Sequence, residues 1–365
     1  MSDISFSKYL LLGVLTFVFV GVLTPIMRKI AISIGAVDAP TIERKAQKEP
    51  VPYLGGVAIA IGVVAASYAA LLAENFSMEN FRLASFVLVP AIAIAAMGLI
   101  DDLKGLQPWP RLIAQTFTGI IVAIILTVTD TMGVAFGNTF LNYTISVLWI
   151  VGVCNSINFF DNHDGGAAGT VAVISLFLFF IAFDRQQILV SALAIVTAGA
   201  TASFLIWNRH PAKIYMGDAG ALFLGLLLAT LTIRLEPNTN TQIGSYLTPV
   251  FLLAVPILDT TVAVISRLRR HISPFQGGQD HLSHRLIRAG LSRKQAAFSL
   301  WLLSGVYGAL AILISKANSI FENCLVISID KIEASLFLVT VYDLVSKIFT
   351  TYTSNAIVLA TGGIG

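Results

Sequence analysis

The sequence predicts an all-α, polytopic membrane protein of about eleven transmembrane helices. Three observations predict it. Of 365 residues, 56% are hydrophobic and only 12% charged, whereas a soluble domain carries roughly twice that charge. Mean hydropathy is +0.83. Apolar runs approaching the ~20 residues that span a bilayer recur along the chain, and helices satisfy the backbone inside lipid.

The spans fall at roughly 7–26, 54–74, 83–100, 110–128, 139–154, 168–183, 188–206, 219–233, 245–265, 296–315 and 334–352. The first run, Tyr9 to Ile26, is followed by Arg28-Lys29, as in a retained span rather than a cleaved signal. No internal repeat or low-complexity tract divides the chain, which reads as one integral membrane domain over 1–365. Cys154 and Cys324 fall on opposite sides of the membrane in this topology, so no disulfide between them is expected, and no zinc spacing occurs.

Charge orients the spans. With the N-terminus outside, loops 27–53, 101–111, 155–167, 207–218 and 266–295 face the cytoplasm and hold 16 of the 23 Lys and Arg residues, as the positive-inside rule requires. The odd span count puts the C-terminus inside too. The net charge of +3 carries no signal for nucleic acid.

The same five loops gather the polar residues that membrane neighbours make costly. In the first, Arg44, Lys45 and Lys48 precede Gly55-Gly56. On charge alone they read as an anchor against anionic lipid; the functional reading is phosphate binding. The glycines allow close helix packing or close approach of a ligand. In the second, Asp101-Asp102 ends an apolar span. Acids at a helix C-terminus oppose the macrodipole, and such a pair could bind Mg²⁺ or accept a proton.

The third loop runs from Cys154 to Gly166 and sets Asn155, Asn158, Asp161 and Asp164 at every third position. Their oxygens are hard ligands suited to Mg²⁺. A capping turn is the plainer reading, but four such groups in ten residues outweigh it. In the fourth, Asp218 stands between Gly217 and Ala219-Gly220 at the start of a span. Taken alone it is an N-cap; with the other loops, a metal ligand gains ground, next to helix amides that favour phosphate. In the fifth, His281 and His284 share a helical face with Arg285 following and Asp280 preceding. This suits a phosphate cradle better than zinc. Asp259 lies inside the preceding span, where acids are costly and often functional; a hydrogen bond to a neighbouring helix accounts for it equally well.

The ordered set Asp101-Asp102, Asn155-x-x-Asn158-x-x-Asp161-x-x-Asp164-Gly165, Pro211-Ala212-Lys213-x-x-Met216-Gly217-Asp218-x-Gly220 and Asp280-His281-Leu282-x-His284-Arg285-Leu286 resembles the polyprenyl-phosphate N-acetylhexosamine-1-phosphate transferases. The likeness runs from Asp38 to about Arg288 and is strongest to the undecaprenyl-phosphate N-acetylglucosamine-1-phosphate branch. It implies transfer of N-acetylhexosamine 1-phosphate from UDP-N-acetylhexosamine to undecaprenyl phosphate, with release of UMP, at the bacterial cytoplasmic membrane. It implies Mg²⁺, with Mn²⁺ as a substitute, on Asn158 and Asp218. Asp101 or Asp102 would deprotonate or position the lipid phosphate. Asp161 and Asp164 would line the nucleotide pocket, and His281, His284 and Arg285 would hold phosphate or sugar beside Lys45 and Lys48. A homodimer is compatible with it. The peptidoglycan enzyme that uses a UDP-muramyl-pentapeptide is the alternative within the family, and a transporter of an anionic substrate the alternative outside it. Four positions depart from the family pattern: Gln47 for His, Asn162 for Gly, Gly166 for Leu, and Ser283 for the middle residue of a His-x-His-His motif.

Overall fold

In chain order the elements are α1 (Phe6–Ser33), β1 (Val37–Asp38), β2 (Val51–Pro52), α2 (Gly55–Ala73), α3 (Met78–Lys104), α4 (Pro108–Val128), α5 (Thr139–Phe160), α6 (Gly166–Asp184), α7 (Ile188–Asn208), α8 (Gly217–Arg234), α9 (Gln242–Leu252), α10 (Ala254–Arg269), α11 (Leu282–Arg288), α12 (Arg293–Lys316), β3 (Cys324–Glu333), β4 (Leu336–Asp343) and β5 (Phe349–Ser354). They come from a computed structural model that describes residues 4–38, 50–73, 77–237, 242–274, 278–316, 324–333, 336–343 and 349–354. Arg44, Lys45 and Lys48 lie outside the described residues.

Among the described residues, α1 to α8 and α12 are each long and apolar enough to cross a membrane. The pair α9 and α10, bent by 75°, adds a broken tenth span. It runs from face to face: Tyr246 of α9 donates to the Ala135 carbonyl in the α4–α5 turn, whereas Arg267 near the end of α10 meets His281. Helix α8 is the axis of the bundle. It is apolar around its whole circumference, and every residue from Ala219 to Arg234 is buried, as a helix without a polar face requires. It packs against α2, α3 and α5, so its N-terminus opens at the centre of one face of the protein.

Small residues let the backbones approach there. A Cβ on Gly56 would overlap the backbone of Gly220, and the Gly55 and Gly56 amides donate to the Tyr215 and Met216 carbonyls at 3.0 and 2.8 Å. The packing role read from Gly55-Gly56 is thus what the structure shows. Helix α5 runs six residues past its expected end at 154, so Asn155 and Asn158 are helical.

The expected span 334–352 is corrected. Its residues contribute to an antiparallel sheet of order β3-β4-β5. Stretches such as Val339-Thr340-Val341-Tyr342 and Phe349-Thr350-Thr351-Tyr352 are rich in β-branched and aromatic residues, which suit a pleated strand. Total apolarity hid that signal. Among the described residues that leaves nine spans, or ten with the bent pair. Helix α12 ends beside the α6–α7 turn, where Arg185 donates to the Ser315 carbonyl at 2.6 Å. The strands thus follow a helix that ends at the face opposite the α8 N-terminus.

Candidate active site

Four helices deliver the site. Asp101 and Asp102 close α3, which stops at Gly105, whose φ of +65° ends the helix. Arg111 opens α4, Asn158 lies in the last turn of α5, and Asp218 lies in the first turn of α8. Asn158 Nδ2 donates to Asp218 Oδ1 at 2.6 Å. Arg111 bridges two acids, donating to Asp101 Oδ2 at 2.8 Å and Asp218 Oδ2 at 3.0 Å. The second oxygen of Asp101 accepts the Leu106 amide at 2.6 Å.

Asp102 does something else. Its two oxygens accept the backbone amides of Asp218 and Ala219 at 2.8 and 3.0 Å. An α-helix leaves its first amides without intrahelical partners, and this carboxylate from a neighbouring helix caps two of them. The cap needs Gly217, where φ is +72° and a Cβ would meet the Asp102 carboxylate. Asp218 is therefore not the N-cap of α8, and its side chain is free to face Asn158 and Arg111.

The loop after α5 bounds the site on its next side. Asp164 Oδ2 accepts from His210 Nδ1 at 2.6 Å and from the Ala212 amide at 3.2 Å. Asn208 ties the same region together, accepting the Gly165 amide and donating to the Ile214 carbonyl, both at 3.0 Å. The Asp161 carboxylate accepts no hydrogen bond among the described residues. Burial, then the charges of Asp218 and Asp164, push it up to about 7.

The histidine loop is held from below. His281 Nδ1 donates to Asp259 Oδ2 at 2.7 Å, and the Leu282 amide donates to Asp259 Oδ1 at 2.6 Å. Arg267 donates to His281 Nε2 at 3.1 Å. A guanidinium only donates, so His281 is the neutral Nδ1–H tautomer with both ring nitrogens engaged. Arg267, Asp259 and His281 are all buried. Arg267 also donates to Asp280 at 3.2 Å, and Arg270 pairs with the same carboxylate. Arg285 is exposed and donates to the Asp280 carbonyl at 3.0 Å. His284 makes no hydrogen bond among the described residues.

Burial first, and then the nearby Arg288 guanidinium, lower the His284 pKa to about 4. The stability it contributes is present above its ordinary value of 6.5 and is lost as pH falls from there through about 4, because the unfolded chain takes up a proton that the folded site resists. Thermal unfolding across that range should show a shallower acid-side decline for His284→Gln than for the wild type. Identical slopes would contradict the assignment.

The sequence comparisons can now be set beside this geometry. The glycosyl transferase family 4 model matches residues 84–236, which include Asp101, Asp102, Asn158, Asp161, Asp164 and Asp218. A probable undecaprenyl-phosphate N-acetylglucosaminyl 1-phosphate transferase of Bacillus subtilis is 32% identical over 302 residues, spanning 81% of this chain and 82% of that protein. This chain belongs to glycosyl transferase family 4. Its similarity extends to a decaprenyl-phosphate N-acetylglucosaminephosphotransferase of Mycolicibacterium smegmatis, 32% identical over 332 residues, with 81% and 78% of the two chains covered. An undecaprenyl-phosphate alpha-N-acetylglucosaminyl 1-phosphate transferase of Yersinia pestis is 24% identical over 324 residues, with 86% and 85% covered.

For this family member the structure brings Asp101, Asp102, Asn158 and Asp218 together, with Asp161 and Asp164 flanking them. Among the described residues, no group of three or more His, Cys, Asp or Glu is arranged to hold a metal ion; Asp218 and Asn158 are neighbours, with Asn158 Nδ2 turned to the carboxylate. Sequence reasoning missed Arg111, His210 and Arg267 as partners. Arg111 carried a readable signal: a cation in the first turn of a helix opposes the macrodipole, as Asp101-Asp102 does at its helix end. The pairing of His210 with Asp164 and of Arg267 with His281 is tertiary and has no local signature.

Proposed function

We propose that the protein transfers N-acetylglucosamine 1-phosphate from UDP-N-acetylglucosamine to undecaprenyl phosphate, releasing UMP, at the cytoplasmic face of a bacterial inner membrane, as the first membrane step of a cell-envelope glycan. The observation that carries this reading is the convergence of Asp218, Asn158, Arg111 and Asp101 at the N-terminus of the central helix, in a chain whose relatives over about four fifths of its length are named as N-acetylglucosamine phosphotransferases acting on undecaprenyl or decaprenyl phosphate. The orientation rests on the sequence, whose five loops read as cytoplasmic hold 16 of the 23 Lys and Arg residues. None of the three relatives described is named for a muramyl-pentapeptide substrate or for transport.

The reaction joins two anions. An oxygen of the lipid phosphate attacks the sugar-bearing phosphorus of the diphosphate, and the bond from that phosphorus to the bridging oxygen breaks, the oxygen leaving as part of UMP. Positioning and charge neutralisation supply most of such catalysis. Asp218 and Asn158 fit Mg²⁺, which takes few protein oxygens and fills its remaining sites with water and substrate phosphate. The amide of Asn158 turned over would present its oxygen. Bound there, the ion would neutralise charge on the diphosphate.

The protein's own groups do the rest. Arg111 holds Asp101 and Asp218 in register and presents positive charge. Asp102 fixes the start of α8. All four oxygens of Asp101 and Asp102 accept hydrogen bonds, which gives both residues a positioning role. Asp161 and His284 keep free polar atoms for the nucleotide-sugar. The test of sugar identity is turnover against a panel of UDP-sugars with undecaprenyl phosphate. UDP-N-acetylglucosamine should give the highest kcat/KM; a preference for the muramyl-pentapeptide donor would overturn the assignment.

A further inference from the structure

The loop between α5 and α6 faces two ways. Asp161 and Asp164 turn toward the 210–218 segment and Asp218. The two residues between them turn toward the histidine loop and α12. Ser283 Oγ donates to Asn162 Oδ1 at 2.6 Å, and His163 Nε2 donates to the Arg293 carbonyl at 2.7 Å. Ser283 is 1% exposed. The Asn162 amide is oriented from its other end, because Nδ2 donates to the Phe159 carbonyl at 2.8 Å. That leaves Oδ1 as an acceptor, and Ser283 must donate. The bond therefore has one arrangement, with Ser283 as its buried end and Asn162 half-buried.

Ser283 sits in the turn that carries His281 and His284, and Asn162 directly follows Asp161. One hydrogen bond thus ties the elements that carry the two free polar groups, Asp161 and His284. Both positions also depart from the family pattern, with Asn larger than Gly on one side of the contact and Ser smaller than His on the other.

We propose that Asn162 and Ser283 form a positioning pair that locks the histidine loop to the nucleotide loop and so sets affinity for the nucleotide-sugar, not for the lipid phosphate. This rests on the transferase reading above. The pair touches no reacting atom; it acts by holding Asp161 and His284 at a fixed separation.

The test uses full-length enzyme in detergent, with UDP-N-acetylglucosamine and undecaprenyl phosphate varied separately and UMP binding measured alongside. Asn162→Ala and Ser283→Ala should each raise KM for the UDP-sugar and weaken UMP binding by about tenfold, the loss of one part-buried hydrogen bond. KM for undecaprenyl phosphate should stay within about twofold, because the lipid phosphate is held elsewhere. The double variant should be no worse than either single one, as expected of two residues sharing one interaction. Ser283→Thr, which keeps the hydroxyl, should keep the wild-type KM. Ser283→His alone should be impaired by collision with Asn162, and Asn162→Gly in the same chain should restore it. Additive losses, parallel rises in both KM values, or failure of that restoration would overturn the pair. A wild-type enzyme that binds UMP but releases none from the UDP-sugar would overturn the transferase reading instead, leaving the UMP affinities to judge the pair.

Discussion

Replacing Asp218 by alanine is expected to lower UMP release at least ~10³-fold while the bundle stays folded. The argument is geometric. Among the described residues, Asp218 is the carboxylate on which side chains from two other helices converge, Asn158 from α5 and Arg111 from α4. It does not cap its own helix, because Asp102 does that. Its removal therefore leaves the α8 terminus intact. Asn158→Ala should give a milder loss and a weaker response to added Mg²⁺, as expected when one of two neutral or anionic oxygen donors is withdrawn. Size-exclusion and thermal unfolding close to wild type, together with abolished turnover, are the expected results. Near-normal turnover of Asp218→Ala would remove it from the machinery.

Asp102→Ala should cost both activity and stability, which separates it from Asp218→Ala. The carboxylate of Asp102 satisfies two amides at the start of the most buried helix in the protein. Losing a cap costs about 1–2 kcal/mol, and hydrogen bonds to a charged acceptor are worth about 1.5–3 kcal/mol each. The helix start that carries Asp218 would then shift. Asp101→Ala should also abolish UMP release, but by freeing Arg111, with less loss of thermal stability, since it releases one backbone amide rather than two. Equal melting temperatures for Asp102→Ala and wild type would show that the cap is not structural.

How much of this was legible in the sequence depends on which physical signal carried it. Ten of the eleven expected spans have helical counterparts, because an apolar run of bilayer length has few alternatives. The eleventh failed because hydropathy alone does not separate a helix from β-branched strands such as Val339-Thr340-Val341. The acids Asp101, Asp102, Asp161, Asp164 and Asp218 were legible as a group, since polarity beside membrane spans needs a reason. Their division of labour was not. That Asp102 caps a helix more than a hundred residues away, or that both nitrogens of His281 are engaged by Asp259 and Arg267, follows only from tertiary contacts. The reading of His281 as a ligand-holding group accordingly narrows, and His284 becomes the free imidazole of that loop.

The most direct measurement of the central claim is transfer of label from UDP-N-acetylglucosamine, radiolabelled in the sugar and the β-phosphate, into undecaprenyl lipid by the purified protein, with and without Mg²⁺. The account predicts stoichiometric lipid labelling and UMP release that require Mg²⁺ and vanish in Asp218→Ala. Lipid labelling that proceeds at the same rate in Asp218→Ala, or release of UDP in place of UMP, would contradict it.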